Sequence, residues 1–162
     1  MLTWTLRKLK SADAATRLRA AVKLGEAGDG RAVVPLVEAL KQDAEYGVRV
    51  AAANALAAIG GRDAQAAIGA KLRDGDADRD VVAAVAHATL KGGGADAKPA
   101  IAAALQDARP VVRRGVALAL TWAKDALFSD LAERAMDDAD PEVRRWACSA
   151  VMNAASGRDG VA

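Results

Sequence analysis

This 162-residue chain has one cysteine, one histidine, four prolines and only 3% aromatic residues. With Cys148 alone, no internal disulfide can form, and a reducing, cytoplasmic setting is expected. With His87 alone, a His-rich metal site is excluded, and no metal is expected. No serine stands at a spacing that suggests a histidine partner. No GxGxxG or GxxxxGK[ST] occurs, so no cofactor is expected. Charge of one sign is missing too: 23 basic against 21 acidic residues leave +2, which neither demands nucleic acid nor forbids it. The opening MLTWTLRKLK lacks the apolar core of a signal peptide, and no run approaches a membrane span; a soluble monomer with no membrane role is expected.

Alanine is what the chain has in abundance. It is the best helix former, and its small side chain lets helices approach closely, so an all-α chain is expected. Self-similarity then organises the sequence. VRVAAANALAAIG from Val48, VRRGVALALTWAK from Val112 and VRRWACSAVMNAA from Val143 repeat one pattern, and TRLRAAVKLGEAG from Thr16 has the same shape, at a spacing of about 32 residues. Each copy follows another helical segment: 1–10, 30–41, 61–73, 97–106 and 127–136. Five antiparallel helix pairs are predicted in one domain over 1–157, as repeats near 1–28, 29–60, 61–93, 94–124 and 125–157, with a short tail at 158–162.

A second regularity joins the pairs. An aspartate stands six residues before the Val-Arg arginine in Asp43/Arg49, Asp107/Arg113 and Asp138/Arg144, and Ser11 precedes Arg17 by the same interval. The aspartate falls in the turn, where it can cap the next helix. The arginine can return to that carboxylate or to its neighbour's, so stacked repeats would form a ladder of charge-assisted hydrogen bonds.

Taken together, this pattern resembles HEAT repeats, and among them the short variety named after phycobilisome-lyase HEAT-like repeats. The resemblance covers nearly the whole chain. It implies a right-handed α-α superhelix, with the first helix of each pair on the convex side and the Val-Arg helix on the concave side. The HEAT-like hydroxylases that hold iron through His-Glu pairs are not matched by a chain with one histidine.

DGDADRDVVAAVAH, residues 74–87, departs from the pattern. As a calcium loop it would offer Asp74, Asp76, Asp78 and Asp80, but Arg79 replaces the required glycine and Val85 the bidentate glutamate. As an inter-helix turn it places Asp74 where the other repeats carry their turn aspartate. Asp80, Val81 or Val82 then occupies the ladder position, and the surplus aspartates are available to Arg49 or Arg113. His87 reads as a partly exposed structural histidine. Cys148, at the place of Ala53, is expected to face the core. Gly92–Gly94 reads as a helix stop.

The inner face of the solenoid carries the candidate site. On the Val48 helix it comprises Tyr46, Val50 and Asn54; on the Val112 helix Arg114, Leu118 and Trp122; on the Val143 helix Arg145, Trp146 and Ser149. Leu18, Arg19, Val22 and Glu26 belong to the same face. Tyr, Trp and Arg are enriched in binding hot spots. A patch of Leu118, Trp122 and Trp146 is predicted beside Gly115, whose missing side chain would leave room for an indole. The function expected is a non-enzymatic scaffold binding a protein or peptide. Nucleic-acid binding, by fold analogy with HEAT-like DNA glycosylases, is the second reading, although no catalytic aspartate aligns. An accessory or lyase role toward bilin-carrying proteins is the third.

Overall fold

A computed structural model describes residues 2–123 and 126–156. Its ten α-helices fall into five pairs: α1 (Leu2–Lys8) with α2 (Ala14–Ala27), α3 (Val33–Gln42) with α4 (Tyr46–Ile59), α5 (Gly61–Asp74) with α6 (Arg79–Gly93), α7 (Lys98–Ala104) with α8 (Pro110–Ala123), and α9 (Ser129–Ala135) with α10 (Pro141–Ser156). Single 3-10 turns lead into α3, α7 and α9, and the described residues contain no strand. None of these helices is long and apolar enough to cross a membrane.

The alanine-rich periodicity dictates how the helices pack. The second helices, α2, α4, α6, α8 and α10, stack directly on one another, while the first helices touch their own neighbours far less closely. One layer is tighter than the other, so the array bends towards the second helices, and their open sides form its inner surface. Small residues permit this. A Cβ on Gly25 would stand 2.8 Å from the Ala55 backbone, and a Cβ on Gly115 only 2.6 Å from the Val82 Cβ. Leu24, Leu36, Leu40, Leu56, Ile68 and Ile101 fill the space between the two layers and are fully buried. The result is an all-α superhelix.

The turns within each pair share one construction. A side-chain oxygen accepts from the backbone N–H two residues on: Ser11 from Asp13, Asp43 from Glu45, Asp76 from Asp78, Asp107 from Arg109 and Asp138 from Asp140. The ladder aspartates therefore shape the turn. Capping falls to a later residue, as where Asp13 accepts from Thr16 and Asp78 from Asp80. The turn aspartate of the third pair is Asp76 and not Asp74, which settles the register of α6.

Candidate functional site

Each ladder arginine clamps its own turn, and Arg17, Arg49 and Arg113 also reach forward. Nη1 donates to two carbonyls of its own turn: Arg17 to Ser11 and Ala12, Arg49 to Asp43 and Ala44, Arg113 to Asp107 and Ala108, Arg144 to Asp138 and Ala139. The remaining donors reach forward to the next repeat's turn. Arg17 binds Asp43 through two bonds of 2.7 and 2.8 Å, Arg49 binds Asp76 at 3.0 Å, and Arg113 binds Asp138 through bonds of 2.8 and 3.1 Å. Lys71 adds a 2.8 Å contact to Asp76. Arg17, Arg49 and Arg113 thus pair with the following aspartate and not with their own. Hydrogen bonding from Arg17 holds Asp43 below the ordinary carboxylate range. Burial alone would raise Asp76 and Asp138, yet both are held low. Lys71, the Asp78 amide and Arg49 act on Asp76; Arg113 and the Asp140 amide act on Asp138.

One rung is apolar. Val82 holds the ladder position on α6 and packs against Gly115 of α8. Gly115 therefore leaves no room for an indole; Val82 already fills that space. Asp107, deprived of an arginine from α6, pairs with Arg109 of its own turn and is held at about 2. Arg109 also donates to the Asp74 carbonyl at 2.9 Å, a bridge across the two repeats that Gly75 admits by having no side chain beneath the guanidinium. Three of the four aspartates of DGDADRD thus have partners in the protein for their carboxylates: Asp76 takes Arg49 and Lys71, Asp78 caps α6, and Asp80 takes Arg79. Arg113 has no part in that turn.

The inner face differs from its sequence expectation in repeats four and five. Leu118 is buried between helices. Trp146 is half-buried with Arg145 stacked 4.7 Å from its ring, while Trp122 is exposed and meets His87 edge-on at 5.7 Å. With Leu118 buried, the three side chains do not form the exposed patch expected of them. Arg114 is tied to Asp140 at 2.6 Å and to Glu142 at 3.2 Å, as a second cross-repeat rung and not a free rim charge. Ser149 donates to the Arg145 carbonyl. His87 is half-buried, and burial, with Lys91 nearby, pushes its imidazole below the ordinary range. Cys148 is exposed, whereas Ala53 at the same position of α4 is fully buried.

Repeats one and two hold the open apolar surface. Leu18, Val22, Gly25, Tyr46, Gly47, Val50, Ala51, Asn54, Ala55 and Ala58 line a groove of about 550 Å³ across α2 and α4. Its only charged lining residues are Glu26 and Asp80, both acidic. Leu18, Val22 and Tyr46 are 38, 43 and 52% exposed, so large apolar side chains face solvent in one place. Tyr46, Val50 and Asn54 were legible as inner-face residues. The concentration of the groove here was not, since it depends on which side chains the neighbouring helices leave uncovered.

The HEAT-repeat model matches residues 2–88 and again 66–152, which together span nearly all of the described helices. The chain belongs to the HEAT-repeat family. It is similar in fold to a chain of the complex of CpcE and CpcF of phycocyanin lyase from Nostoc sp. PCC7120, with 24% identity and a TM-score of 0.64. That match covers 94% of this chain and 64% of the other, so this HEAT-repeat chain spans somewhat less than two thirds of its neighbour's length. Human deoxyhypusine hydroxylase in complex with glycerol matches at 18% identity and a TM-score of 0.48, over 96% of this chain and 84% of that one. No curated protein matches the sequence.

Proposed function

We propose that this HEAT-repeat chain is a non-enzymatic scaffold that binds a helical segment of another protein in the groove across α2 and α4. The observation that carries this reading is the groove's lining. It is apolar along its length, exposes Leu18, Val22 and Tyr46, and carries charge only as Glu26 and Asp80. An amphipathic helix lays its apolar face into such a groove through side chains at i, i+4 and i+7. Lys or Arg at one end of that helix would meet Glu26, while Asp80 is already paired with Arg79. Apolar surface of this kind, left open in water, is a recurrent mark of interaction sites. Phosphate tracking needs lysine or arginine along the path, and this lining has neither, which disfavours nucleic acid here. The fold neighbour's occurrence as a complex of two chains is in keeping with a protein partner.

Selection of displayed peptides on the immobilised chain tests the proposal. Enriched sequences should share an apolar i, i+4, i+7 stripe with a basic residue at one end, and Val50→Asp should abolish their retention. Enrichment indifferent to Val50→Asp, or none at all, would reject the groove as the binding site.

A further inference from the structure

We propose that the groove across α2 and α4 takes its helix in one direction: antiparallel to both walls, with an arginine in the first turn of the bound helix seated between Glu26 and Asn54. This rests on the reading of the groove as a protein-helix site and adds the polarity and the sequence order of the occupant.

The walls fix what lies at each end. Leu18, Val22 and Glu26 stand at i, i+4 and i+8 along α2, and Tyr46, Val50 and Asn54 stand at the same interval along α4, so each set forms a ridge beside the groove. Two close approaches set their levels. A Cβ on Gly47 would lie 3.4 Å from Leu18 Cδ1, and one on Gly25 would lie 2.8 Å from the Ala55 backbone. Leu18 therefore stands level with Tyr46 and Gly47 at one end, and Glu26 with Asn54 and Ala55 at the other, about 11 Å further along the helices. Both contacts advance in the same sense, so α2 and α4 run parallel. Both reach their C-termini, Ala27 and Ile59, at the Glu26 end.

The two ends differ in chemistry. At the Leu18 end the ridges are apolar save for the Tyr46 hydroxyl. Asp80, which lies in the first turn of α6, is held by Arg79 at 2.8 Å. At the Glu26 end stand two exposed polar side chains, the Glu26 carboxylate and the Asn54 amide, and neither has a hydrogen bond or ion pair among the described residues. No lysine or arginine lines the groove. A guanidinium fits this pair, because its planar fork can donate to the carboxylate and to the amide oxygen together. The last carbonyls of α2 and α4 add partial negative charge at the same end, which favours a cation there.

The same dipoles choose the direction. A helix lying antiparallel to α2 and α4 brings its positive N-terminal end to their negative C-terminal ends, whereas a parallel one sets like ends together. The arginine therefore belongs in the first turn of the bound helix. Apolar side chains follow one turn later on Val22 and Val50, and two turns later on Leu18 and Tyr46.

The test uses the unaltered chain, its Glu26→Gln and Val50→Asp variants, and as probe the most enriched peptide of the display selection. Circular dichroism checks that each variant is folded. The peptide should carry its basic residue before the apolar stripe. Synthesised with a benzophenone at its N-terminus it should label residues 54–59, and with one at its C-terminus residues 46–50, as mapped by mass spectrometry. Replacing its arginine by alanine should weaken binding to the unaltered chain roughly three- to tenfold and leave the affinity for Glu26→Gln unchanged. A basic residue after the stripe or absent, the reverse labelling, or an arginine effect that persists in Glu26→Gln would overturn the proposal. If Val50→Asp still abolishes retention in those cases, the groove stands and only the orientation falls. Retention indifferent to Val50→Asp, or no enrichment, rejects the groove and the orientation with it.

Discussion

At the scale of the residue, identical arginines in identical turns should differ in worth according to what stands in front of them. Arg113 and Asp138 are 14 and 12% exposed, between the limits of an exposed pair at about 0–1 kcal/mol and a buried pair broken at about 3–5 kcal/mol. Arg113→Ala should therefore cost about 1–3 kcal/mol. Arg144→Ala, which loses only two exposed bonds to carbonyls, should cost under about 1 kcal/mol. Urea unfolding of both variants measures the difference, and equal costs would show the forward contact to be ornamental. Gly115 makes the opposite point, since here the missing side chain matters. Alanine at 115 would gain about 1 kcal/mol of helix propensity. Its Cβ would also meet the Val82 Cβ at 2.6 Å and the Arg79 carbonyl at 2.8 Å, neither of which can swing away. Overpacking of this kind costs about 1–3 kcal/mol, so Gly115→Ala should be destabilised despite the better helix former, as a thermal melt would record.

At the scale of the element, the turns carry the pH dependence. Asp107 and Asp140 are held at about 2, against 3.8 for an ordinary aspartate, chiefly by hydrogen bonds from Arg109 and Arg114. A depressed carboxylate binds fewer protons folded than unfolded, so its contribution is present above about pH 4 and is lost as pH falls towards 2. The stability difference between the unaltered chain and Arg109→Ala should accordingly shrink across that interval. A difference that stays constant in urea titrations between pH 5 and pH 2 would deny Asp107 this role. Helices and turns were legible in the sequence because alanine periodicity and the Asp–Arg interval recur. The direction of the ladder was not, since the interval allows Arg49 to meet Asp43 or Asp76 equally well. Packing decides it: Nη1 is occupied by the carbonyls of the arginine's own turn, so only the next turn remains within reach. The missing arginine of the third repeat was legible, with Val82 one of three residues open for its place; that Val82 packs on Gly115 was not, because the two lie in different repeats. Cys148 misled because burial differs between equivalent positions: it is exposed on α10, whereas Ala53 on α4 is fully buried.

At the scale of the whole molecule, the layer of second helices carries an apolar groove across α2 and α4. Leu118 is buried between helices and Arg114 is paired with Asp140, so neither is free to meet a partner. The central claim is that the first half receives a protein helix. Photo-crosslinking in the native cell tests it most directly, with benzoylphenylalanine placed singly at Tyr46, inside the groove, and at Met136, an exposed residue at the end of α9 that lies outside it. The account predicts a discrete protein adduct from position 46 and none from position 136. Adducts from position 136 alone, or nucleic acid captured at position 46, would contradict it.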